Sequence, residues 1–212
     1  LGYEPNLIAR SLAGHPSFLI GLIVPDLLHS FFAEVAKGVS HKIEAFGYQT
    51  IIGNSGENAQ TELRQIKLLL ARMVDGLIIA SAAPHASRSM VELLKGRKTR
   101  YVLIDRMLLK GKANYVGVKD DQIGALATEH LIEQGCTRIA HLCGPMVSTG
   151  RGRLRGYRAA LAKHGLKVPP EYVVSAAHED RTGYDAMQRL LQLKPRPDGV
   201  FCYNDPVAAC AI

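Results

Sequence analysis

Residues 18–52 read FLIGLIVPDLLHSFFAEVAKGVSHKIEAFGYQTII, and they hold one complete strand–helix–strand unit. The run FLIGLIV (18–24) is continuous, apolar and rich in β-branched residues, the pattern of a strand buried on both faces. Phe32, Val35, Val39, Ile43 and Phe46 then fall on one helical stripe, which ends at Gly47. YQTII (48–52) is apolar again and reads as a second strand. Two strands joined through a helix are parallel neighbours linked by a crossover.

The same alternation continues in both senses of the word: more strands, more crossovers. Leu63, Ile66, Leu70 and Met73 form the next helical stripe, followed by strand GLIIA (76–80), a helix over 90–94, strand YVLID (101–105) and a short strand YVGV (115–118). There the pattern restarts. A helix over 122–134 stops at Gly135, and strand RIAHL (138–142) follows. Next come a helix over 152–164 stopped by Gly165, strand YVVS (172–175), a helix over 181–193 and strand GVFCY (199–203). Asp205 and Pro206 read as the N-cap and first residue of a last helix. The expected fold is α/β: two lobes, each a parallel sheet flanked by helices. Residues 15–118 are the first lobe, 119–212 the second, and 1–14 a short apolar helix opening the chain. In open parallel sheets ligands bind outside the carboxyl ends of the strands. Two facing lobes would gather those ends around one cleft, with Asp26, Ser81, Asp105, Arg106, Lys119, Asp120, the 144–153 loop and residues 176–178 and 203–205 as its candidates.

Composition narrows the function. The chain has 212 residues, 47% hydrophobic and 21% charged, enough for one large domain or two small ones. No apolar run is long enough to cross a bilayer, and the start lacks the layout of a signal peptide. The first residue is Leu1, so a piece of a longer protein is expected. Cys136, Cys143, Cys202 and Cys210 read as free thiols of a reducing cytoplasm. Cys136, His141 and Cys143 lack the paired short spacing of a structural zinc site. The net charge of +7 is uneven: residues 1–60 carry 3 basic and 5 acidic groups, 61–150 carry 13 and 8, and 151–212 carry 10 and 6. KGRKTR (95–100) and RGRLRGYR (151–158) supply most of the excess, which suits a solvated face or a polyanion.

Catalytic constellations do not emerge. Neither GxSxG nor HExxH occurs. GRGRLRG (150–156) has the wrong spacing for a dinucleotide fingerprint, although small residues at a helix start can hydrogen-bond anions or hydroxyls. Phe31 and Phe32 cannot both point inward from one helix, so one of them faces outward. An aromatic face beside polar strand-end groups suits a sugar or flat heterocycle. His178, at a strand end, faces the expected cleft; Asn204 is a ligand contact or a neighbour of an Asp205 cap.

Several stretches in order carry a family resemblance: LGYEPNLIARSLAG, IGLIVPDLLHSFFAEVAKGV, GYQTIIGNS, RMVDGLII, VLIDR, ATEHLIEQGCTRIAHLCGP and DGVFCYND. Over its whole length the chain resembles the lactose-repressor (LacI/GalR) family of transcription regulators. The resemblance implies a periplasmic-binding-protein-like core that holds a small effector, a sugar or related metabolite, and needs no cofactor. It implies a homodimer, operator DNA bound through a helix-turn-helix headpiece that this sequence does not contain, and a C-terminal part beyond Ile212 that completes the truncated second lobe, returns to the first and adds one more pocket carboxylate. The opening helix would be the hinge, with Leu12 wedged into the DNA minor groove. By motif, Phe31 and Phe32 match a ring-contacting position, Thr149 and Arg153 the effector-binding loop and helix, His178 a pocket wall, and Asn204 the ND motif. Arg106 and Asp120 are further expected contacts. Three departures stand out. Lys119 replaces a usual acid and favours an acidic effector; Tyr203 replaces a small residue and is an expected effector contact, making the pocket smaller or offering an extra stacking face; and Val147 stands where purine-binding members carry a basic one.

The competing reading is a sugar-binding protein of a transporter, with the same fold and no DNA role. An enzyme on this scaffold is disfavoured by the missing constellation. No membrane association is expected.

Overall fold

Leu19–Val24 forms β1, and in a computed structural model of the chain it is an interior strand of a five-stranded parallel sheet. The structure describes residues 14–83, 88–108, 113–176 and 182–212. The opening segment with Leu12, and the position of His178, lie outside the described residues. The chain divides into two compact units, Leu1–Gly117 and Val118–Ile212.

In the first unit β1 pairs with β2 (Gln49–Asn54) on one side and β3 (Gly76–Ile79) on the other; β4 (Arg100–Ile104) and β5 (Asn114–Val116) extend the sheet to the order β2-β1-β3-β4-β5. The crossovers run through α1 (Ser30–Glu44), α2 (Ala59–Ala71) and α3 (Arg88–Gly96). Sheet and helices bury their apolar sides together: Ile23, Ile66, Leu69, Leu77, Ile79, Met90, Leu94 and Leu103 form one core, and Leu22, Val24, Phe32, Ala36 and Ala80 another. Asn58 caps α2, its side chain accepting from the backbone N–H groups of Gln60 and Thr61, both at 2.9 Å. Two stripe residues depart from expectation. Phe46 and Met73 are exposed, because α1 and α2 end before them and the chain has already left the helical path.

The second unit has the order β7-β6-β8, from β6 (Ile139–Cys143), β7 (Val173–Ser175) and β8 (Gly199–Cys202), all parallel. Its helices are α4 (Asp120–Glu133), α5 (Ser148–Lys163), α6 (Thr182–Leu191) and α7 (Asp205–Ala211). A short 3-10 turn, Pro170–Tyr172, precedes β7. Helix α5 starts at Ser148, four residues earlier than the sequence reading, so the glycines of GRGRLRG lie within a helix and not in a loop. Their reason is contact with α4. A Cβ on Gly152 would run into Asp120, one on Gly156 into the carbonyl of Asp121, and one on Gly124 into the backbone of Arg153. Glycine ordinarily weakens a helix interior by about 1 kcal/mol; here it lets two backbones approach.

The two sheets share one feature that places function. In each, the first strand is interior and its successors fall on opposite sides, β2 and β3 around β1, β7 and β8 around β6. Connections leaving β1 and β3, or β6 and β8, diverge at the carboxyl ends, and that divergence leaves the crevice where such sheets bind ligands.

Candidate functional site

In the second unit the carboxyl ends of β6 and β8 lead into residues 144–149 and into Tyr203 and Asn204. Arg153, on the second turn of α5, links these two stretches. Its Nε donates to Asp120 Oδ1 at 3.1 Å, and Nη1 donates to the Tyr203 carbonyl at 2.6 Å. The Arg153 guanidinium also lies 4.8 Å from the centroid of the Tyr203 ring. The Tyr203 and Thr149 hydroxyls share a hydrogen bond of 2.9 Å. Asp120 and Thr149 are buried, Arg153 and Tyr203 half-buried. Burial pushes the Asp120 carboxyl up from its ordinary value, and the Arg153 charge and hydrogen bond work against that rise. Thus Asp120, Thr149, Arg153 and Tyr203, separated by up to 83 positions in the chain, form one connected group. Among the described residues, Arg153 Nη2 has no hydrogen-bond partner, which leaves one edge of the guanidinium for two adjacent oxygens.

Asn204 adjoins this group with a local duty. It is the N-cap of α7, its side-chain oxygen accepting from Val207 N at 3.1 Å. The expected Asp205 cap is therefore corrected. Asp205 is the first helical residue and Pro206 the second, where a missing N–H costs nothing. Lys119 precedes α4, exposed, and makes no side-chain cap. Val147 is buried at the start of α5.

In the first unit the corresponding crevice lies at the ends of β1 and β3. The parity argument over the paired phenylalanines resolves cleanly: Phe32 is in the core and Phe31 is about half exposed, the rings edge-to-face at 5.0 Å. His29 sets this orientation by capping α1, its Nδ1 accepting from Phe31 N at 3.3 Å. Arg106 is buried. Its two terminal nitrogens fork onto the Glu57 carboxylate, each at 2.6 Å, and Nη1 also donates to the Ser81 carbonyl at 3.3 Å. Glu62, which the sequence reading passed over, is buried next to this pair. It accepts from Ser81 Oγ at 2.8 Å and from Ala82 N, and burial raises its carboxyl above the ordinary value. Its signal was an acid on the inner side of α2, four residues before the core residue Ile66. Arg106 and Glu62 thus brace the 81–83 backbone.

His141 Nδ1 donates to the Phe201 carbonyl at 2.8 Å, and Cys136 Sγ donates to the Asp198 carbonyl at 3.4 Å. Among the described residues no group of three acid, His or Cys side chains is placed to hold a metal. None of the described helices is long and apolar enough to cross a membrane. A shallow hollow lined by Thr99, Arg100, Tyr101, Ala113 and Asn114 opens at the amino ends of β4 and β5, away from these groups.

A family model described as periplasmic binding proteins and the sugar binding domain of the LacI family matches residues 17–212. The ribose operon repressor of Escherichia coli K12 is 34% identical over 210 residues, covering 98% of this chain and 63% of that protein. The chain therefore spans less than two thirds of that relative's length. Two solved structures are similar. Transcription regulator GntR from Chromobacterium violaceum has a TM-score of 0.82 at 28% identity, over 91% of this chain and 70% of the other. A transcriptional regulator CelR–cellobiose complex has a TM-score of 0.80 at 25% identity, over 96% and 65%. These relatives are regulators of transcription, which does not favour the transporter reading.

Proposed function

Because the chain belongs to the family of periplasmic binding proteins and LacI-type sugar-binding domains, we propose that it is the effector-binding core of a transcription repressor and that its effector is a small sugar or related metabolite. The observation that carries this reading is the open edge of Arg153, held in place by Asp120 and the Tyr203 carbonyl at the carboxyl end of a parallel sheet. A fixed guanidinium edge offers parallel donors to two neighbouring hydroxyls or to a carboxylate. Arg153 and Asn204 contact the effector, and Asp120 orients Arg153. The names of the relatives support a carbohydrate, and Lys119 keeps an acidic sugar derivative among the candidates. The core performs no catalysis. The protein acts in the cytoplasm as a homodimer, and operator DNA is contacted through a headpiece and the opening segment, with Leu12 as the minor-groove wedge.

The test is selection of duplexes from a random pool by the full-length gene product at one fixed moderate salt, since phosphate contacts are salt-sensitive. A palindrome with a deformable CG step at its centre is the expected outcome, with its affinity altered by one member of a sugar panel. Retained sugar binding without any selected DNA would overturn the regulator reading in favour of a solute-binding protein.

A further inference from the structure

Tyr203, just after β8, is engaged at its backbone N–H, its carbonyl, its hydroxyl and its ring. Its backbone N–H donates to the Leu142 carbonyl at 2.9 Å, which extends the β6–β8 pairing by one residue. Its ring lies directly against the Gly144 backbone, so closely that a Cβ on Gly144 would overlap three ring carbons. Its hydroxyl is held by Thr149, which is 1% exposed. Its carbonyl and its ring both engage Arg153. A glycine beneath, a buried hydroxyl at the tip and a guanidinium alongside fix the phenol in one place. That place adjoins the Arg153 edge that the described residues leave without a partner.

Resting on the effector reading above, we propose that Tyr203 is a specificity-determining residue. Its locked phenol fills the space beside Arg153 and restricts the site to effectors of one sugar ring, excluding those with a second ring. Thr149 is then a positioning residue that acts through Tyr203, and Gly144 is required because only glycine leaves room for the ring.

Binding to the full-length gene product is measured by calorimetry with D-ribose, D-glucose and D-galactose as one-ring probes and cellobiose and lactose as two-ring probes. The unaltered chain prefers its best one-ring probe over either disaccharide at least tenfold. Tyr203→Ala, and Tyr203→Val should the alanine variant melt below the assay temperature, lowers that preference at least tenfold. Tyr203→Phe keeps the bulk and retains most of it. Gly144→Ala touches no polar group, yet shifts the preference in the same direction as Tyr203→Ala by displacing the ring. Thr149→Val weakens the preference and Thr149→Ser restores it, a pattern that loss of stability alone would not produce. A folded Tyr203→Ala or Tyr203→Val chain with unchanged preference overturns this proposal and leaves the effector reading standing. Failure of the unaltered chain to bind any of the five sugars overturns the sugar reading, and this proposal with it.

Discussion

His141 sits in the central strand of the second sheet with its ring wholly buried, stacked on Phe201 at 4.5 Å and 8° and tilted against Tyr157 at 5.3 Å. One ring nitrogen serves the Phe201 carbonyl, and the other, Nε2, has no hydrogen-bond partner among the described residues. Burial is the main force on its titration, and with Arg153 and Arg158 it lowers the pKa from 6.5 to about 4 despite the Phe201 hydrogen bond. The folded chain therefore keeps a neutral imidazole where the unfolded chain would take up a proton. Between pH 6.5 and about 4 the unfolded state binds more protons, so stability falls as pH falls through that window. The full loss for one such group is about 3 kcal/mol. Chemical denaturation at pH 7 and pH 4.5 should show the original chain losing about 2–3 kcal/mol relative to His141→Asn, which can still donate to the carbonyl but does not titrate. An equal loss in both chains would mean that His141 does not stay neutral. The open edge of Arg153 obeys a related logic: a charge is kept in a half-buried place by partners on two sides, Asp120 and the Tyr203 carbonyl.

At the scale of elements, the α4–α5 pair rests on glycines that overlap nothing only because they lack a Cβ. Gly156→Ala puts a methyl group into the Asp121 carbonyl, so melting should register about 1–3 kcal/mol of destabilisation, the range for forced overpacking. A gain in stability, the usual result of Gly to Ala in an open helix, would mean that the helices separate easily. Asn204 allows its two roles to be split. Serine caps as well as asparagine, so Asn204→Ser should hold stability within about 0.5 kcal/mol, and Asn204→Ala should cost about 1 kcal/mol. Both remove the side-chain amide and should weaken effector binding alike; full affinity in Asn204→Ser would leave capping as its only role. These elements also show what a sequence reader can and cannot see. The strands were legible because burial on both faces leaves continuous apolar runs such as FLIGLIV. The start of α5 was not, because glycine argues locally for a turn and the reason for it lies on another helix. Of Asn204 and Asp205, both good caps, only the backbone path selects one. Phe31 and Phe32 could be told to diverge by helical period, but which of them turns inward depended on how His29 begins α1. Glu62 carried no motif, since an acid on an otherwise apolar helix side looks ordinary until Ser81 and Ala82 are found against it.

At the scale of the whole molecule the proposed activity joins two binding events, effector to the core and operator DNA to the headpiece and hinge segment. Both sheets share the same divergence of strand order, so the proposed effector binding draws on no element of the DNA-binding apparatus. What the proposed repressor function adds is a coupling free energy, and thermodynamics requires it to be the same read from either end. A sugar that weakens operator affinity by a given factor must itself bind more weakly by that factor once operator is bound; a sugar that strengthens it must bind more tightly. Couplings of this kind are typically about 5–150-fold, well within the range of calorimetry. The full-length gene product would be titrated with the selected sugar in the absence and presence of saturating operator, at the salt used for DNA binding. Operator affinity would be measured with and without saturating sugar in the same buffer. Equal factors of the same sign are expected. A sugar affinity indifferent to operator, beside an operator affinity that responds to sugar, would mean that the sugar acts elsewhere than at Arg153. Arg153→Lys offers the check, because it keeps the charge but loses the planar edge, and should reduce the sugar's affinity while leaving operator binding without sugar unchanged.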